Sequence, residues 1–318
     1  MRASSRAVYV WAPVTEPALD TLASLATIAA VIAPVFVVVS VGVFWGFAKF
    51  SFDNSFVSTF VVGVATPCLV FTSLTRTGAS VTELGHLALA VVACILSNMG
   101  VGYVITRVLN LSQKTFLPCF AFPNSGNLGL PMVLFAFGDG AAAYAVVFFT
   151  VCSIIQFGFG PALATGKVNI VDLARTPLLH AVWISLVVTG FSYVPPDWVG
   201  KTTKLLGDCA IPLMLVALGV ALAKLRLSRQ DSLRIFGLSF LRSSTGFAVA
   251  YLVAGAFGLE GVERGCLILQ NSMPIAIFNY MYALRYNNDH QAVAGMVVAS
   301  TLLSLVTIPL VLWYVMGL

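Results

Sequence analysis

Phe122-Pro123-Asn124-Ser125-Gly126-Asn127-Leu128-Gly129-Leu130-Pro131 is the stretch on which the fold turns. It lies in an apolar run with no charge between Lys114 and Asp139, long enough to cross a bilayer as a helix. Yet its centre holds two prolines, two glycines, two asparagines and a serine. Proline removes a backbone donor and clashes with the preceding turn, while glycine relaxes the backbone, so the helix breaks here. Backbone groups freed at membrane depth are tolerated only where protein or a water-filled cavity satisfies them. A binding site fits such a break, and so does a proline kink whose asparagines tie helices together. A second break 147 residues later, at Asn271-Ser272, favours the site.

Composition sets the class. Of 318 residues, 59% are apolar and 9% charged, with a mean hydropathy of +0.97. Soluble domains carry about 25% charged residues, so this is an all-α, polytopic membrane protein whose solvent is the lipid bilayer. The net charge of +5 is spread over loops, without the basic cluster that nucleic acid would require. No glycine-lysine phosphate loop is present, which argues against direct ATP drive, and no cofactor is implied. Cys68, Cys94, Cys119, Cys152, Cys209 and Cys266 are isolated in apolar segments and read as buried free thiols. Residues 1–21 read as a short tail, with no clear signal-peptide cleavage site.

Charged and turn residues divide the remainder into ten spans. They cover about 22–48, 54–75, 84–106, 115–138, 140–166, 176–195, 203–223, 235–258, 265–284 and 291–316. Residues 22–166 make a first set of five, 167–175 a linker, and 176–318 a second five. Loops on the amino-terminal side carry six basic residues and those opposite carry ten. The positive-inside rule therefore puts both termini outside the cytoplasm.

The two sets resemble each other. Ala65-Thr66-Pro67 matches Ala210-Ile211-Pro212 at an offset of 145, and Asn124-Ser125 matches Asn271-Ser272 at 147. Pro34 and Gly46 match Pro177 and Gly190 at 143 and 144. Five spans is an odd number, so the sets lie in opposite orientations. Inverted repeats with interrupted helices in corresponding places are the pattern of a secondary transporter, with its site where the breaks meet. Half-helix amino termini there present free N–H groups and positive dipole ends. Asn124, Asn127 and Asn271 add amide donors, and Ser125 and Ser272 add hydroxyls, which suits a carboxylate held by neutral groups. Gln156 lies in the fifth span as a further amide. Pro123, Gly126, Pro131 and Pro274 are the helix-breaking residues. Alanine at Asn124 or Asn271 is expected to abolish transport without loss of expression.

With these residues the chain resembles the auxin efflux carrier family, which includes the plant PIN carriers and bacterial permeases for malate or malonate. The resemblance covers about 25–316 and is most specific at Asn124-Ser-Gly-Asn127-Leu-Gly-Leu-Pro131 after Pro123. Leu206-Gly207 through Pro212 to Leu218-Gly219, and Met273-Pro274 followed by Asn279, Tyr280 and Tyr286, support it. It implies two inverted five-helix repeats of the bile-acid-symporter or NhaA-like type, crossing at Pro123 and Pro274. It also implies an elevator motion, in which spans one, two, six and seven form a scaffold and the rest a moving core. Substrate carboxylates would meet Asn124 and Asn271, with Gln156 as the polar residue of span five, in a homodimer. The short 167–175 linker resembles the bacterial branch, and the second break lacks the glycines of the first.

Other polar residues have two readings. Asp208, inside the seventh span, is a candidate proton carrier or a hydrated residue near the outer mouth, helped by Lys201 or Lys204. Arg242 could counter an anion, but its long side chain can snorkel to the cytoplasmic surface, which is the favoured reading. His180, Glu83 and His86 lie near span ends, as interfacial residues do. An intramembrane enzyme is the alternative class, and a channel a third. The enzyme would need acidic pairs for a metal, paired histidines or a GxSxG serine, and the three histidines are scattered. Paired breaks in inverted halves favour a carrier over a pore.

Overall fold

A computed structural model describes residues 17–76, 81–165, 177–191, 193–224 and 232–317. Among them the chain is helical, without a β-strand. The tail 1–16, the linker 167–175 and the loop carrying Arg226 and Arg229 lie outside the described residues. Residues 17–21, read as tail, instead open the first helix, α1 (Pro17–Phe47).

Six helices are long and apolar enough to cross a membrane, among the described residues: Ile28–Phe47, Thr82–Val108, Asp139–Gly160, Asp197–Lys224, Ser232–Ala256 and His290–Val315. The other spans expected from sequence are interrupted or short. Between α2 (Asn54–Phe60) and α3 (Thr66–Arg76) lies a π turn, Val61–Ala65, in which the Thr66 N–H reaches the Val61 carbonyl. Pro67 follows immediately, so the wider turn sits where proline leaves the helical ladder short of a donor. The fourth span is split into α5 (Gln113–Ala121) and α6 (Leu130–Phe137), which lie in the chain between α4 (Val81–Val108) and α7 (Ala142–Thr165). Gly138, at φ +74°, ends α6 in a left-handed conformation that glycine adopts without a Cβ clash. In the second set, α8 is Pro177–Gly190, α9 Asp197–Asp208, α10 Ala210–Lys224 and α11 Ser232–Ala256. The ninth span is split into α12 (Gly261–Asn271) and α13 (Ile277–Arg285). The Asp289 carboxylate accepts the Ala292 N–H at 3.0 Å and caps α14 (His290–Val315).

The surface of the molecule is far more apolar than that of a water-soluble protein, around a core that is itself mostly apolar. Large apolar side chains face outward, among them Phe44, Leu96, Trp183, Phe240, Leu252 and Leu310. Trp45, Trp198 and Trp313 are exposed too, as interfacial anchors are. Within that core lie Asn98, Asn124, Gln156, Arg242, Gln270, Asn271 and Asn279. An apolar exterior, with the intramembrane amides and Arg242 turned inward among apolar neighbours, is what a bilayer selects. The cysteines are free, and Cys94, Cys119, Cys152 and Cys266 are buried, but Cys68 is only half-buried and Cys209 is exposed in the turn between α9 and α10.

Helix contacts fall into matching sets. Helix α1 packs on α10, and α3 on α8. Helix α4 packs on α5 and α7, while α11 packs on α12 and α14, and α4 meets α11. At the α1–α10 seam, Gly42 and Gly219 oppose each other. A Cβ on Gly219 would come within 2.8 Å of the Gly42 Cα and 2.7 Å of the Val43 nitrogen. Small residues let two backbones approach closely, which is how helices associate in lipid. Gly219→Leu is therefore expected to destabilise the fold by at least about 1–3 kcal/mol, since backbone cannot move aside as a side chain would. A thermal melt of the purified variant that matched the parent would contradict this packing.

Candidate functional site

The two broken spans meet backbone to backbone. Pro123 lies opposite Ile275 in an antiparallel bridge. The Asn124 N–H donates to the Pro274 carbonyl at 2.7 Å, and the Ala276 N–H donates to the Phe122 carbonyl at 3.2 Å. Pro123 occupies the non-hydrogen-bonded position of this short ladder, where its missing N–H removes nothing. The Ile275 N–H points away and donates to the Ser300 hydroxyl of α14 at 3.1 Å. Ser300→Ala would orphan that buried N–H and is expected to cost about 1–3 kcal/mol of stability. An unchanged melting temperature would argue against Ser300 as the anchor.

After the bridge the first span re-forms as a π turn, Ser125–Gly129, in which the Gly129 N–H reaches the Asn124 carbonyl at 2.9 Å. Single π turns concentrate at functional sites. Gly129 permits close approach of the other broken span, because a Cβ there would sit 3.1 Å from Gln270 Oε1 and 3.2 Å from Met273 Cγ. The Asn124 side chain is buried, and its Nδ2 has no hydrogen-bond partner. A buried amide donor without a partner is costly, so such a group points to a missing ligand or water. Thr150 Oγ1 and Gln270 Oε1 are likewise buried and unpartnered.

A second amide cluster lies at the start of α13. Gln156 Nε2 of α7 donates to Asn279 Oδ1 at 3.5 Å, Asn279 Nδ2 donates to the Phe122 carbonyl at 3.4 Å, and the Tyr282 hydroxyl donates to the Gln156 carbonyl at 3.2 Å. Gln156 is thus tied to the crossing through Asn279. Asn279 joins it, a residue that sequence reasoning quoted only within a motif. Its signal was available: Asn279 is the third residue of α13 as Asn127 is the third of the π turn, and they are separated by 152 residues. The bridged pair, Pro123 and Ile275, has the same separation. Asn127 is half-buried, and Ser125 is buried within reach of the Cys152 thiol.

Asn271 and Ser272 stand differently from Asn124 and Ser125. Asn124 follows the bridged residue, whereas Asn271 ends α12, before its bridged residue. The Asn98 amide donates to Asn271 Oδ1 at 2.8 Å, and Asn271 Nδ2 donates to the Gly246 carbonyl at 2.7 Å. Both ends of the Asn271 side chain are therefore engaged by protein. The Ser272 hydroxyl donates to the Ile268 carbonyl within its own helix at 2.7 Å. Asn271→Ala is accordingly expected to cost stability, about 1–3 kcal/mol for each buried group it orphans. A melt equal to the parent's, with transport lost, would instead make Asn271 a direct ligand.

Arg242 does not snorkel. Its side chain is fully buried, with Nε donating to the Cys119 carbonyl at 3.2 Å and Nη1 and Nη2 donating to the Asn271 carbonyl at 3.4 Å. Asp208 is not brought to the crossing. It is exposed at the end of α9, where Lys204 donates to its carboxylate at 2.8 Å, one helical turn away. Asp208→Asn is expected to leave transport within about twofold, as exposed pairs contribute little. A loss confined to assays driven by a pH gradient would give that carboxylate a proton role. Among the described residues, no group of three or more His, Cys, Asp or Glu side chains gathers to hold a metal.

Apolar spanning helices around a polar crossing define the class of a membrane transporter. The chain belongs to the auxin efflux carrier family: the family model described as "Membrane transport protein" matches residues 27–159 and 162–312. An "Uncharacterized transporter" of Methanothermobacter thermautotrophicus is 29% identical over 271 residues, 81% of this chain and 88% of its own. An "Uncharacterized transporter" of Methanocaldococcus jannaschii is 24% identical over 272 residues, 81% of this chain and 88% of its own. A "Putative malonate transporter" of Rhizobium meliloti is 24% identical over 276 residues, 79% of this chain and 83% of its own.

Proposed function

We propose that the chain is a secondary carrier of small organic anions, holding a carboxylate at the crossing of its two broken spans. The observation that carries this is the buried, unpartnered Asn124 Nδ2 at the head of a half-helix. The π turn and α13 both begin at the crossing, and helix starts favour anions through free N–H groups and their dipoles. Asn124, Asn127 and Ser125 supply donors from the first span, and Gln156 with Asn279, bonded to each other and to the Phe122 carbonyl, brace the start of α13 beside them. Asn271 and Ser272 hold the second break in shape. Neutral donors bind an anion without the permanent ion pair that would slow its release. The name of the Rhizobium meliloti relative points to the same substrate class.

Two inverted five-span repeats are part of this reading. The helix contacts support it, since exchanging the halves turns α1–α10 into α8–α3, α4–α5 into α11–α12, and α4–α7 into α11–α14. Here α1 to α3 with α8 to α10 form the scaffold, and the remaining helices move past it as the core, giving alternating access. Purified protein should gain thermal stability with dicarboxylates such as malonate, malate or succinate, or with indole-3-acetate, and not with their uncharged amides. Equal stabilisation by acid and amide would remove the anion from the proposal.

A further inference from the structure

Among the described residues, no carboxylate pairs with the buried guanidinium. The ion pairs Lys201–Asp197 and Lys204–Asp208 are exposed and both lie in α9, away from it. The titratable groups that act on Arg242 are the thiols of Cys119 and Cys152. Its hydrogen-bond partners are instead the carbonyl of Cys119, in the last turn of α5, and that of Asn271, the last residue of α12. These are the carboxy-terminal ends of the two half-helices that enter the crossing. Helix ends of that polarity carry partial negative charge and unpaired carbonyls, so each attracts a cation. In carriers built on broken helices, half-helix carboxy termini and unwound carbonyls are the groups that coordinate a coupling cation. Here a tethered cation already occupies them. Gly246, one turn beyond Arg242, makes this fit: a Cβ there would clash with Arg242 Nη1 and lie 2.6 Å from the Asn271 carbonyl oxygen.

We propose that Arg242 is a built-in counter-cation, bridging the carboxy-terminal ends of α5 and α12 so that transport proceeds without a sodium or other inorganic cation at the crossing. The proposal rests on the carrier reading above. Arg242 acts on the substrate through the shape and charge of the crossing, so it is a positioning residue. Its positive charge stays with the protein through the cycle, whereas a coupling ion would enter and leave.

The test uses the full chain in proteoliposomes and in detergent. Exchange of labelled malonate by the parent is expected to be equal in sodium and choline chloride. Arg242→Ala is expected to lose exchange by about tenfold or more, the usual effect of removing a group that holds ligand-binding residues in place. Millimolar guanidinium should restore both exchange and melting temperature of that variant, and urea, its neutral isostere, should restore neither. Saturable activation of the parent by sodium would overturn the proposal, as would an alanine variant that exchanges like the parent without guanidinium. Should Arg242→Ala not fold, Arg242→Lys keeps the charge: sodium-independent exchange supports the proposal, and sodium dependence overturns it. The melting temperatures decide on Arg242 even if the parent exchanges no carboxylate, in which case the anion reading alone has failed.

Discussion

Gly246→Val is expected to leave little folded protein. Position 246 faces the guanidinium of Arg242 and the Asn271 carbonyl, and the Gly246 carbonyl itself accepts the Asn271 amide. A branched side chain there pushes Arg242 off the ends of α5 and α12. Removing a partner from a buried charge costs about 3–5 kcal/mol, and overpacking adds about 1–3 kcal/mol. Native proteins are stable by only about 5–15 kcal/mol, so the combined loss is a large share of the whole. The yield of monodisperse protein in mild detergent measures it directly. Gly255→Val serves as control, because the same helix offers a Cβ at 255 open space. A Gly246→Val variant as well behaved as that control would mean that Arg242 has another seat.

Asn124→Asp is expected to abolish anion transport in a protein that still folds. The two side chains have nearly the same shape, and the Asn124 backbone bonds to Pro274 and Gly129 do not involve the side chain. The substitution replaces the unpartnered Nδ2 donor with an acceptor bearing negative charge. Like charges brought together at a binding site cost several kcal/mol, and about 1.4 kcal/mol is a factor of ten, so exchange should fall about a hundredfold or more. Rate and melting temperature measured on one preparation separate the site from the scaffold. Full activity in Asn124→Asp would place the substrate elsewhere.

Much of this architecture could be read from local chemistry. Proline and glycine punctuation at 122–131 and at Pro274 identified both breaks, since backbone constraints act within a few residues and do not depend on neighbours. The membrane class followed from hydropathy alone. The register between the two breaks was harder. The Asn-Ser pairs at 124 and 271 suggested one offset, but pairing of Pro123 with Ile275 puts Asn124 after its bridged residue and Asn271 before its own. A short motif repeats by chance more easily than a backbone ladder does. The seat of Arg242 could not be read at all. Its partners are main-chain carbonyls 123 and 29 residues away, and every residue has a carbonyl, so no side-chain pattern marks them. Asn98 escaped notice for the same reason, as an isolated amide in an apolar helix whose partner lies 173 residues away.

Counterflow in proteoliposomes tests the central claim most directly. Vesicles preloaded with unlabelled malonate would be diluted into a trace of labelled malonate, beside empty vesicles and vesicles with Asn124→Asp. A saturable carrier that presents its crossing alternately to each side predicts transient accumulation of label in the parent, with a rate that levels off as malonate rises. Uptake that grew linearly with malonate and showed no overshoot, or that was equal in Asn124→Asp, would contradict a carboxylate carrier with its site at Asn124.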